Sequence, residues 1–175
     1  MIIVLIGYLF MALDVLAGFG AEGVIELPPD FVGYLLIAFG MSRMKDQSRF
    51  FTKAISFGVV GAILAGFVFF VRLLSLSYTA STAVILLEVA EIIMMMIVLY
   101  LVIRGLRDVE AERGLQMYGN VMKWLWVGMF VILAASYAVQ LFDIWSQIAT
   151  LATDLISLAI FLFLYNGFQT IKEAE

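Results

Sequence analysis

The chain has 175 residues, of which 65% are hydrophobic and 14% charged, with no His, no Cys and a formal net charge of −4. A soluble domain carries about 45–50% apolar and roughly 25% charged residues, so the excess has no soluble core to fill and the mean hydropathy of +1.10 assigns the chain to lipid. The missing Cys and His exclude disulfides, thiolate or imidazole catalysis, haem ligation and ordinary zinc sites, and the acidic balance argues against a nucleic-acid partner.

About 20 apolar residues cross a bilayer as a helix, and on that scale six spans fit. The first runs from about Ile2 to Gly20 and contains Asp14. It lacks a basic n-region and is expected to be a retained helix rather than a signal peptide. The second is short, about Phe31 to Met44, and follows Leu27-Pro28-Pro29-Asp30. Pro and Asp suit a first helical turn, while the preceding Ala21–Leu27 segment reads as a cap or as a lid dipping into the outer leaflet. The third span runs from about Phe51 to Leu76 with Arg72 near its end, and Gly58, Gly61, Ala65 and Gly66 offer close helix approach. The fourth, about Ser81 to Ile103, holds Glu88 and Glu91, and its Met94–Met96 run reads as apolar filling. A charged extension, Arg107 to Arg113, is expected to be a solvated helical face closed by Gly114. The fifth span covers about Val121 to Leu141, and the sixth about Ser146 to Phe168 with Asp154 inside it. The fold class is therefore an all-α integral membrane protein of a single domain.

The loops orient the chain. Arg43, Lys45, Arg49 and Lys53 lie between spans two and three, Arg104, Arg107, Arg113 and Lys123 around the connection of four to five, and Lys172 in the tail. By the positive-inside rule this side is cytoplasmic. The expectation is a multi-pass protein of the bacterial cytoplasmic (inner) membrane with both termini inside. Trp124, Trp126 and Tyr100 or Tyr165 suit the inner interface, and Tyr78 and Trp145 the outer one.

Three helix ends read alike, at Gly40, Gly105 and Gly167, each followed by apolar, two variable, apolar and charged positions. The spacing suggests three parallel-repeat hairpins, 1–47, 48–113 and 114–175.

Ionisable groups inside a membrane are costly and face the bundle interior or a wet cavity. Glu88 and Glu91 share a face of span four by their i, i+3 spacing, and Thr150, Asp154 and Ser157 form an i, i+4, i+7 stripe on span six. The outer half holds Asp14, Glu22, Glu26, Asp30, Glu88, Glu91, Asp143 and Asp154 against Arg72 alone. Such one-sided charge predicts an outward-facing acidic cavity that attracts a small cationic or amphiphilic ligand, a proton or a metal ion. The candidate ligand-binding residues are Glu88, Glu91, Asp154, Asp14, Arg72 and Thr150, with Gln140 and Tyr137 as further donors. The competing reading is a non-catalytic structural or regulatory subunit, with a membrane-protein partner or a second copy, whose charges pair to hold helices together. No cofactor is implied and no catalytic motif is present, so an enzyme is not expected.

The segment Leu27-Pro-Pro-Asp-Phe-Val-Gly-Tyr-Leu-Leu-Ile-Ala-Phe-Gly40, followed by Ser48-Arg-Phe-Phe-Thr-Lys-Ala54, resembles small polytopic membrane proteins of Firmicutes that carry an LPxDF(V/I)GYxLI segment. The resemblance covers about 30 residues and implies a membrane location without an activity. Size and span count are also similar to the substrate-binding components of energy-coupling-factor vitamin transporters, with no shared motif.

Overall fold

A computed structural model describes residues 2–17, 29–74, 82–138 and 143–174, the side chains at 12–17, 72–74, 82–85, 88, 136–138, 143–148 and 150 excepted. Six α-helices make up the described fold: α1 (Ile2–Ala17), α2 (Asp30–Ser42), α3 (Arg49–Leu74), α4 (Thr82–Arg113), α5 (Gly119–Ala138) and α6 (Asp143–Glu173). Among the described residues there is no strand. Three helices contain segments long and apolar enough to cross a membrane: Arg49–Val71 in α3, Val89–Arg113 in α4 and Leu151–Glu173 in α6. The apolar parts of α1, α2 and α5 are shorter. The 13 residues of α2 make a rod of only about 20 Å against a hydrocarbon core of roughly 30 Å.

Each helix packs on the next in sequence, and α6 returns to α1, so the six form a closed ring. Short connections make consecutive helices antiparallel. All the basic loops therefore gather at one end of the bundle, together with the start of α1, whose Val4 sits against Gly40, and the end of α6, whose Gly167 faces Leu106 and Met117. The outward faces of the ring are apolar. Ile63, Phe67, Leu86, Leu151 and Leu155 are all more than half exposed, a surface that lipid accepts and water does not.

The tightest seam joins α1 and α2. A Cβ placed on Gly7 would lie 2.6 Å from the Gly33 carbonyl oxygen, and one on Gly33 would lie 2.7 Å from that of Gly7. The two backbones cross in direct contact, which only paired glycines allow. On the other side of α2, Tyr34 lies over Gly61 and Ala38 against Gly58, so two of the four small residues expected to permit close approach on α3 do so against α2. Gly66 is looser, with Phe31 at 3.8 Å. Met96 is buried, and Met94 and Met95 pack half-buried against the core as apolar filling.

The charged end of α4 differs from the expected solvated face. The helix runs unbroken to Arg113, and Gly114 closes it in the left-handed conformation (φ +65). The Glu110 carboxylate, however, reaches forward to accept the backbone N–H groups of Met117 and Gly119, both at 3.0 Å. It thereby satisfies donors that the start of α5 would otherwise leave open. Ser48 plays a matching part at α3. Its Oγ accepts the Phe50 N–H at 3.2 Å as an N-cap, and its hydroxyl donates to Asp108 at 3.0 Å. Two acids of the run are thus spent on fastening loops.

Candidate functional site

The expected polar stripe of α6 is realised at Asp154 and Ser157, and α1 meets it with Tyr8. The Tyr8 hydroxyl shares a 2.8 Å hydrogen bond with Ser157 Oγ and donates to the Ser157 carbonyl oxygen at 3.2 Å. Its ring stacks on Phe161, with centroids 6.5 Å apart. Tyr8 is 3% exposed, so these bonds close the ring of helices from within the apolar layer, where a tyrosine places its hydroxyl only against a partner.

Beside this junction lies a cavity of about 340 Å³ between α1 and α6. Leu9, Leu151, Leu155 and Leu158 form its apolar walls, Tyr8 and Ser157 its floor, and Asp154 is its one carboxylate. Those four leucines are exposed on the outside of the ring, so the cavity opens sideways toward lipid. Oδ1 of Asp154 is buried and has no hydrogen-bond partner among the described residues. Leaving a buried acceptor unsatisfied costs about 1–3 kcal/mol, and more when it is charged. Few native groups are left in that state, so each calls for an explanation.

Glu91 is placed elsewhere. It is half-buried on α4, where its backbone carbonyl accepts the Tyr34 hydroxyl of α2 at 3.1 Å. Asp30, at the start of α2, and Glu91 both lie within electrostatic reach of that hydroxyl. The outer-half acids whose side chains are described therefore occupy two places: Asp30 and Glu91 near Tyr34, and Asp154 at the α1–α6 seam. Neither cavity described in the structure brings Glu91 and Asp154 together. The second cavity, about 230 Å³ between α4 and α5, is lined by Ile92, Met96, Phe130 and Leu133 and holds no polar residue. The side chains of Asp14, Arg72, Glu88, Thr150 and Tyr137, and residues 18–28 with the proposed cap or lid, lie outside the described residues, as does Gln140.

Among the described residues, no group of three or more acids is assembled as a metal site. Trp126 donates its indole N–H to the Met96 carbonyl at 2.9 Å and ties α5 to α4. Trp124 is 69% exposed with Lys123 over its ring, in keeping with an interfacial position. Tyr8 and Tyr34 were not among the candidate residues. The available signal was a lone hydroxyl-bearing ring in an otherwise apolar helix, which requires a partner on another helix.

The apolar exterior and the three helices of spanning length define a helical-bundle membrane protein. No protein-family model matches the chain, and neither a curated protein nor a solved structure is significantly similar to it.

Proposed function

We propose that this is a multi-pass protein of the bacterial inner membrane, with both termini cytoplasmic, that binds a small cationic amphiphile from the outer half of the bilayer. The observation that carries this reading is Asp154, a carboxylate with a buried oxygen that has no partner among the described residues, in an apolar cavity open to lipid. A carboxylate there pairs with an ammonium headgroup, and the leucine walls accept an alkyl chain, so the ligand enters sideways from the membrane. Asp154 lies 18 residues before Lys172 on α6, about 27 Å along the axis, which places it toward the acidic end. Asp14 and Thr150 belong to the same two helices, farther from the basic end, and extend the site outward. Asp30 and Glu91, near Tyr34, make a second acidic locus on the α2–α4 side, and Glu88 and Arg72 are proposed as ligand-binding residues on α4 and α3. The reading is non-enzymatic and needs no cofactor. The three hairpins, each ending near Gly40, Gly105 or Gly167, are proposed as repeats of one ancestral unit, and the Firmicutes proteins with the LPxDF(V/I)GYxLI segment as its relatives.

The alternative of a structural or regulatory subunit draws on a different observation. Tyr8, Tyr34 and Trp126 all spend their polar atoms on joining neighbouring helices.

Thermal unfolding of the purified protein with decylammonium, tetraphenylphosphonium and neutral decanol separates the two. A midpoint raised by both cations, unmoved by decanol and insensitive to cations in Asp154→Asn, supports the binding site. Retention of the response in Asp154→Asn, with loss in Glu88→Gln/Glu91→Gln, moves the site to α4. No response in any variant, with both variants less stable than wild type, favours the subunit.

A further inference from the structure

The basic end of the bundle holds an arrangement that the Asp154 reading does not use. Phe50, in the first turn of α3, is ringed by three cations. The guanidinium of Arg49 lies 5.2 Å from the ring centroid, the ammonium of Lys53 5.7 Å, and the guanidinium of Arg104, arriving from α4, 5.4 Å. The ring attracts each cation through its quadrupole, but the three like charges gathered around one ring repel one another.

No described carboxylate forms an ion pair with any of the three. The nearest acid along α4, Asp108, is turned to accept the Ser48 hydroxyl. Arg49 and Lys53 also occupy the first turns of α3, where the helix end is itself positive and acidic residues are the ones normally favoured. Two helices and a helix terminus thus direct positive charge to one spot, with no ion pair to it among the described residues.

The surface below the spot identifies the anion's source. Lys53 heads a stripe of α3 that continues through Phe57, Val60, Ile63 and Phe67, which are 39%, 52%, 70% and 57% exposed. These positions follow one another at helical spacing. From Lys53 to Ile63 the helix rises about 15 Å, the depth of one leaflet's hydrocarbon. A cationic cradle at the top of an apolar track one leaflet deep matches a phospholipid, its phosphate among the cations and its acyl chain along the helix. A soluble phosphate would have no use for the track.

We infer that Arg49, Lys53 and Arg104 around Phe50 form a binding site for the phosphate headgroup of an anionic phospholipid at the basic end of α3 and α4. Basic pockets between membrane helices recognise such headgroups by the same chemistry. The site is independent of Asp154 and stands or falls separately.

The test measures binding of phosphatidylglycerol to the detergent-solubilised full chain by native mass spectrometry and thermal shift, with phosphatidylcholine and inorganic phosphate as comparison ligands. The variant Arg49→Gln/Lys53→Gln/Arg104→Gln is set against an equal-charge control, Lys45→Gln/Arg113→Gln/Lys123→Gln. At about 1 kcal/mol per basic residue, removing the three site cations is expected to weaken phosphatidylglycerol binding at least 10-fold, and the control less than 3-fold. Arg49→Lys/Arg104→Lys, which keeps the charge and does not challenge folding, is expected to retain most of the affinity. Equal losses in both triple variants, or equal binding of phosphatidylcholine, would overturn the site. Protection by inorganic phosphate equal to that by phosphatidylglycerol would overturn the assignment to lipid.

Discussion

The basic end of the bundle and the α1–α6 seam handle polar groups in opposite ways. At the basic end, Glu110 takes two backbone N–H groups, Ser48 caps α3 and donates to Asp108, and around them Phe51, Met117, Met122 and Ile171 are fully buried. Each of these polar contacts has a fixed partner, and each fastens a loop or a helix terminus. At the seam, the Tyr8–Ser157 junction is equally well bonded, yet one turn away Asp154 presents a buried oxygen that no described residue satisfies. Satisfied polar groups inside a low-dielectric medium fix a structure, whereas an unsatisfied one is held at a cost that a ligand can repay. The contrast separates two uses of an acid: Glu110 and Asp108 fasten loops, whereas Asp154 is left open to a ligand.

Substitutions can break this comparison, and the largest effect is expected away from both regions. Gly33→Val would thrust a branched side chain into the Gly7 carbonyl. Overpacking against backbone costs up to about 3 kcal/mol and occasionally more, so the variant should lose its folded fraction in a denaturant titration while Gly128→Ala, with only Ile156 at 3.9 Å, stays like wild type. A folded Gly33→Val would mean that α1 and α2 do not cross at these glycines.

Glu110→Ala tests the satisfied region. Loss of a carboxylate that holds two N–H groups should destabilise by about 2 kcal/mol, read as a lower unfolding midpoint. Glu110→Gln, which keeps one acceptor, should recover part of it. No change in either would place the acid in solvent, as the charge run alone suggests.

Asp154→Leu tests the other region, and its sign is the point. Replacing an unpartnered buried acceptor by a side chain that fits the leucine walls should stabilise the chain by about 1 kcal/mol while removing the response to decylammonium. A variant less stable than wild type would show that the carboxylate is paired in the membrane and serves packing.

The smallest effect is expected for Tyr8→Phe. Interhelical hydrogen bonds in membranes average about 0.6 kcal/mol, so the midpoint should fall slightly. The same change should leave the response to decylammonium in place, because the ring and the cavity wall remain. A large loss would make the Tyr8–Ser157 bond the main clasp of the ring.

Much of this was readable from residue order. The six helices fall where six apolar stretches lie, with ends shifted by a few residues: α2 begins at Asp30 just as the Pro-Pro-Asp turn signals, and α4 stops at Gly114. Hydropathy and Pro or Gly punctuation are local, so they survive any tertiary arrangement. The i, i+4, i+7 spacing likewise placed Asp154 and Ser157 on one face. Their partner was not readable, because spacing within a helix says nothing about which neighbour that face will meet. The same limit explains Glu91. Its shared face with Glu88 suggested one acidic cavity with Asp154, but α4 turns the Glu91 backbone toward Tyr34 of α2, while α6 turns Asp154 toward α1.

By itself, then, the sequence determined the solvent, the helices and the gathering of basic residues at one end, since transfer free energy and chain direction act residue by residue. Only the tertiary structure decided that α6 closes on α1 through Tyr8 and Ser157, that Gly7 and Gly33 bring two backbones into contact, and that Asp154 is the one carboxylate lining the lipid-facing cavity. Those outcomes depend on the rotation of each helix about its own axis, which is set by how side chains from distant parts of the chain fill the space between them.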